Sequence, residues 1–301
     1  MQLKHLLPTI LLGIAAVCSA DVTPRHRLRP VAGNLTTPDG SILSYRLYNH
    51  SKAAGTPIVL VSGLDQLQDD WQHIMPHFAR KHPGIGQSSV TNYSLVTLNN
   101  MADDIHQLTQ KLGWKNINLV GISMGSVISE TFMASNVSDV NVEHLVLIAA
   151  GYHNSSSGQL HTDVPRWLSE IHLPPNASDW QAFQHKLWLT CLTPEFIKNH
   201  PERVKVFLKE IDAGQNRNFA AFIAQSNALA YHNLTESLTK ITTPTLILHG
   251  TKDVAFLVEN GREIHALIPG SKYIEYPSGG HILFETNPEI VPAILNFLKS
   301  K

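Results

Sequence analysis

Gly121-Ile122-Ser123-Met124-Gly125 places a serine between two glycines at the junction of an apolar run and a helix-like stretch. A strand that turns this abruptly into a helix leaves no room for side chains beside the serine. The glycines at 121 and 125 fit that need, and the turn lifts Ser123 above the strand ends. Composition alone predicts about 0.08 matches to this pattern, so its place directly after Ile117-Asn118-Leu119-Val120 adds most of its weight. A hydroxyl becomes a nucleophile only beside a base, and the base must itself be oriented. Of the 17 histidines, His281 has the expected placement, on the glycine loop Gly279-Gly280-His281 after the last predicted strand. Asp253 closes His249-Gly250-Thr251-Lys252-Asp253, just past the carboxyl end of another strand. His249 is the nearest competitor, and its position at a strand end assigns it to supporting the Asp253 loop.

Attack of Ser123 on a carbonyl would create an oxyanion, which needs donors already in place. The N–H of Met124 is one, and the N–H of Leu64, in the turn after Val61-Ser62-Gly63, is the other. Asp65, Asp69 and Asp70 in that turn read as solvated charges. Asp103 and Asp104 read as partners of a helix dipole. Cys191, flanked by Leu189 and Leu192, reads as a small buried hydrophobe. His153, His161 and Asp163 are scattered on a polar loop without a compact ligand motif, so no metal site is expected.

These residues need a scaffold. Pro57 to Ser62, Ile117 to Val120, Leu145 to Ala150 and Thr245 to His249 are short apolar runs of the kind buried on both faces of a sheet. Met101, Ile105, Leu108 and Leu112 have helical spacing that stops at Gly113. Two short strands flank the turn Pro38-Asp39-Gly40, Lys272 to Tyr276 reads as the last strand, and a helix runs from Pro288 to Lys299. Strands alternating with helices imply an α/β fold: a mostly parallel twisted sheet with helices on both faces. Residues 151–243 break the rhythm with aromatic-rich helical patterns and read as a helical cap. The core is then 21–150 and 244–301.

The chain has 301 residues, a formal charge of −1, 43% hydrophobic and 16% charged residues. That composition excludes a disordered tail. It supplies no basic excess for nucleic acid. No apolar run reaches the roughly 18–20 residues of a membrane span. Residues 1–20 combine a basic start, an apolar stretch from Leu6 to Val17 and Cys18-Ser19-Ala20, the layout of a secretory signal peptide cut after Ala20. Seven Asn-x-Ser/Thr sequons, at Asn34, Asn49, Asn92, Asn136, Asn154, Asn176 and Asn233, exceed the roughly 2.7 expected by chance. A secreted or periplasmic glycoprotein is the expectation.

Through Ser62-Gly63-Leu64, Gly84-Ile85-Gly86-Gln87-Ser88, Gly121 to Gly125, Pro244 to Asp253 and Gly280-His281, the chain resembles the α/β-hydrolase superfamily over most of residues 35–301. The cap stretch Thr193 to Phe196 resembles small-ester hydrolases of the polyketide methyl-esterase and enol-lactonase kind. The resemblance implies a Ser123–Asp253–His281 triad and cleavage of an ester, thioester, lactone or amide through an acyl-serine, without a cofactor. Trp167, Trp188 and Phe222 of the cap are candidates to line an acyl pocket. A small-molecule ester or lactone is the expected substrate. An aminopeptidase of the same fold would need an acidic anchor such as Glu195, Glu202 or Glu210. A third reading is a catalytically impaired, ligand-binding relative.

One departure is large. Between Trp71 and Gly84 the superfamily has a helix, a buried strand and an Asp-x-x-Gly turn, whereas Gln72 to His82 accommodates only the helix. The shortened 72–90 region therefore predicts a missing strand between the second and third strands. Unpaired ladder groups and an opening in the core would follow.

Overall fold

The computed structural model describes residues 14–17, 31–48, 55–66, 92–135, 137–154, 168, 179–213, 218–230 and 232–300. The chain order begins β1 (Ile14–Val17), β2 (Val31–Thr36), β3 (Ile42–Tyr48), β4 (Ile58–Val61), α1 (Leu98–Leu112), β5 (Asn116–Ile122), α2 (Met124–Ala134) and β6 (Asn141–Ile148). A short ribbon, β7 (His153–Asn154) with β8 (His232–Asn233), brackets the helices α3 (Trp180–Thr190), α4 (Pro194–Asn199), α5 (Pro201–Ala213) and α6 (Phe219–Leu229). The longer elements that follow are β9 (Thr245–Gly250), α7 (Val258–Leu267), β10 (Lys272–Tyr276) and α8 (Ile290–Phe297).

Eight strands form one sheet in the order β10-β9-β6-β5-β4-β1-β3-β2. The block from β4 to β10 is parallel throughout. Every residue of β4 and β9 is buried, as continuous apolar runs require when helices cover both faces. Alternation divides the strands between two cores. Val59 and Val61 pack with α1 and α2, while Ile58 and Leu60 pack with Ile290, Ile294 and Phe297 of α8. Helix α1 starts where the Thr97 hydroxyl accepts the Asn100 N–H at 3.1 Å and stops at Gly113, whose φ is 69°. No helix among the described residues is long and apolar enough to cross a membrane.

Three expectations change. Residues 1–20 were placed outside the fold, yet Ile14–Val17 form β1, parallel to β3 (Ile14 opposite Tyr45) and antiparallel to β4 (Ile14 opposite Val61). This is the position of the missing strand, so the core has no open seam there. The inner edges of β3 and β4 carry backbone groups that need a ladder partner, and an apolar segment meets that need. Second, Asp103 and Asp104 do not open a helix; α1 begins at Leu98 and has no acidic residue in its first turn. Third, Asp65 is 6% exposed, so it is not a solvated charge. The region 72–90, Asp69, Asp70 and the Gly84-to-Ser88 motif lie outside the described residues.

Candidate active site

Ser123 sits between β5 and α2 with φ 55° and ψ −126°, a backbone conformation that a side chain adopts only under strain. The flanking glycines are demanded by contact. A Cβ at Gly121 would come within 2.3 Å of the Gly125 carbonyl oxygen, and one at Gly125 within 2.1 Å of the Val61 carbonyl oxygen. The elbow is thus wedged against the carboxyl end of β4. The Ser126 hydroxyl pins it from below by donating to the carbonyls of Gly121 and Ile148, both at 3.0 Å.

Two further loops meet Ser123 at this edge. Lys252 N–H donates to the Gly279 carbonyl at 2.9 Å, and Thr251 N–H to the Tyr276 carbonyl at 3.0 Å, so the loops after β9 and β10 are tied together. The glycine that ends β9 allows this: a Cβ at Gly250 would lie 2.3 Å from the Gly279 carbonyl oxygen. Ile282 N–H also donates to the Cys191 carbonyl at 3.1 Å, which fastens the His281 loop to the cap.

His281 Nδ1 lies 2.9 and 2.8 Å from the two Asp253 carboxylate oxygens, and its Nε2 lies 2.8 Å from Ser123 Oγ. A carboxylate only accepts, so Nδ1 carries the proton. With its proton on Nδ1, the ring can present the Nε2 lone pair to the Ser123 hydroxyl. Asp253 Oδ1 also accepts the N–H groups of Ala255 (2.9 Å) and Phe256 (3.0 Å). His249 donates from Nε2 to the Phe256 carbonyl at 2.8 Å, and the same nitrogen lies 3.4 Å from Asp253 Oδ2. Burial alone would raise the Asp253 pKa, but the charge of His281 and the contacts from His249 and His281 outweigh it and bring the pKa down to about 2. Asp253 is thus a carboxylate at any ordinary pH.

Leu64 lines the same cavity as Ser123 and His281. Gly63 is pressed onto the nucleophile, since a Cβ there would lie 2.9 Å from Ser123 Cβ. Met124 is the first residue of α2, where helix geometry leaves an N–H without an intrahelical acceptor. Leu64 thus shares a cavity with Ser123, and Met124 follows it directly in the chain.

The cap supplies the cavity's apolar wall through Leu187, Trp188, Cys191 and Leu229. Trp188 is in the expected position. Phe222 is not: it is fully buried inside the cap, packed against Trp180 and Phe183 with ring centroids 5.1 and 5.7 Å away. Its period placed it on a helix face, and only the packing of α3 on α6 determined that this face is interior. Trp167 lies outside the described residues. Burial first, then the Asp253 charge, push the Cys191 thiol well above its usual pKa, consistent with a packing role. Glu195, Glu202 and Glu210 are all exposed, and none lines the cavity.

Residues 56–288 match the alpha/beta hydrolase fold family. The chain is an α/β-hydrolase. Among solved structures it is similar to the esterase RhEst1 from Rhodococcus sp. ECU1013, with a TM-score of 0.72, 20% identity and 91% of this chain and 99% of that one covered. It is also similar to a bromoperoxidase from Bacillus anthracis (TM-score 0.71, 22% identity, 90% and 100% covered). A third is the enol-lactonase from Burkholderia xenovorans LB400 (TM-score 0.70, 18% identity, 89% and 100% covered). At these identities the likeness establishes the α/β-hydrolase architecture shared by this chain and the three neighbours.

Proposed function

We propose that this α/β-hydrolase is a serine hydrolase that cleaves small carboxylic esters or lactones. The observation that carries the reading is the continuous hydrogen-bonded chain Ser123–His281–Asp253, with contacts of 2.8 to 2.9 Å. His281 Nε2 takes the Ser123 proton as Oγ attacks the carbonyl carbon, and Asp253 stabilises the imidazolium. The Met124 and Leu64 N–H groups hold the oxyanion. Collapse of the tetrahedral adduct breaks the bond to the leaving oxygen, which accepts the proton from His281 and leaves an acyl-serine. Water, deprotonated by His281, then releases the acid by the same steps in reverse. The esterase and enol-lactonase named among the neighbours fit this chemistry. The aminopeptidase reading lacks support, because its candidate acidic anchors lie away from the cavity.

Export belongs to the same proposal, supported by the leader pattern of residues 1–20 and the seven sequons; cleavage after Ala20 would take β1 out of the exported chain. A fluorophosphonate probe tests the chemistry. The wild type should be labelled and should hydrolyse simple esters, whereas Ser123→Ala should do neither while melting at the same temperature. Turnover retained in Ser123→Ala would exclude the serine mechanism. A cooperatively melting wild type that neither labels nor turns over would favour the ligand-binding reading.

A further inference from the structure

The loop that carries the Leu64 N–H is held by the cap. Asp65, the next residue, has a φ of 58° and is 6% exposed. Its N–H donates to Gln225 Oε1 of α6 at 3.1 Å. Its carboxylate oxygen Oδ2 accepts from Gln184 Nε2 of α3 at 3.1 Å. Both glutamines are buried. From its own side, the loop is closed by Gln66, whose Oε1 accepts the Gly63 N–H at 2.7 Å, and whose N–H donates to the Gly63 carbonyl at 3.2 Å.

A left-handed conformation is accessible to aspartate more readily than to most residues, but it still requires support from its surroundings. Here that support comes from two cap helices, and it acts on the residue directly after the oxyanion donor. An oxyanion donor acts only within a few tenths of an ångström of its working position. The loop geometry therefore depends on the cap being seated.

We infer that Asp65 is a positioning residue that uses Gln184 and Gln225 to couple cap seating to the geometry of the oxyanion loop. The inference rests on the serine-hydrolase reading. It assigns the cap a role beyond walling the pocket: the oxyanion site is complete only when α3 and α6 are in place. Asp65 touches no reacting atom. Its effect passes through the orientation of the Leu64 N–H.

Steady-state hydrolysis of a short acyl ester and binding of a trifluoromethyl ketone, which forms a tetrahedral oxyanion adduct on serine, test this together. Asp65→Ala and Gln225→Met should lower kcat about 10- to 100-fold with KM within about twofold, and should weaken the ketone by the same factor as kcat/KM. Asp65→Asn tolerates the same φ and keeps an acceptor for Gln184, and should recover most of the loss. Unchanged kcat in both variants, or a rise in KM alone, would overturn the inference. If Asp65→Ala fails to melt cooperatively, Gln225→Met, which alters only the cap side, decides the matter. A wild type without serine-dependent turnover would instead defeat the hydrolase reading itself.

Discussion

Among the described residues, Glu130 and Asp104 are the two carboxyl groups whose surroundings work against their charge. Glu130, on α2 one turn beyond Ser126, is 0% exposed, and neither of its carboxyl oxygens meets a hydrogen-bond partner among the described residues. Burial alone raises its pKa well above the usual value. Asp104 is raised to about 7, first by burial and then by the carboxylates of Asp103 and Asp39. Each is protonated in the folded chain at a pH where the unfolded chain has already ionised it. The unfolded state then binds fewer protons, so stability falls as pH rises from about 4, for Asp104 until about pH 7. Denaturant melts at pH 5 and pH 8 should therefore show a more stable protein at pH 5. Glu130→Met should raise stability at pH 8 by about 1–3 kcal/mol, and Asp104→Asn should remove part of the slope. Equal slopes in the wild type and a variant carrying both substitutions would show that these carboxyls do not control the pH dependence. Asp253 acts in the opposite sense. With its pKa lowered to about 2, its contribution is present above about pH 4 and is lost only in strong acid.

At the scale of elements, β1 matters most. Its four residues pair on both sides, with Tyr45 to Tyr48 of β3 and with Ile58 to Val61 of β4. The same residues form part of the apolar centre of the leader pattern. A mature chain cut after Ala20 cannot contain them, so the two roles exclude each other in one molecule. Residues 21–301 should be less stable than the full chain by about 2 kcal/mol or more, because two strand edges lose their ladder partner. Ala16→Pro in the full chain should have a similar effect, since proline cannot serve a strand paired on both sides. Identical melts for all three proteins would mean that β1 contributes nothing to stability. N-terminal sequencing of protein recovered from a secreting host would show which role the segment takes.

Considered as a whole molecule, cap and core enclose the site. The cavity that includes Ser123, His281 and Trp188 has a volume of about 20 Å³, little more than a water molecule requires. Cap and core are joined by Arg203 of α5, which donates from Nε to Glu285 at 2.8 Å just beyond His281, and by the contact of Ile282 with Cys191. A large acyl group would have to displace these ties. Acetate esters should therefore exceed octanoate esters in kcat/KM by about tenfold or more. Trp188→Ala, which removes an indole from the wall, should narrow or reverse that preference. A wild type that favours the octanoate ester would refute the small-pocket argument.

Much of the active site was legible in the sequence because its signals are local. Glycines at 121 and 125 report a turn too tight for side chains, and the placement of Asp253 and His281 after strand ends follows from short apolar runs closed by loop residues. Close approach of three loops at one sheet edge then follows from a parallel sheet, whose strands all end on the same side. Features that depend on two distant segments were not legible. Phe222 and Trp188 have equivalent apolar character, and only the packing of α3 against α6 sends one into the cap interior and the other to the cavity. Asp65 looked solvated because its partners lie more than a hundred residues away on the cap. The apolar stretch at residues 6–17 has the composition of a leader and of a buried strand alike. Its strand role depends on a gap between β3 and β4, which exists only once the sheet has formed.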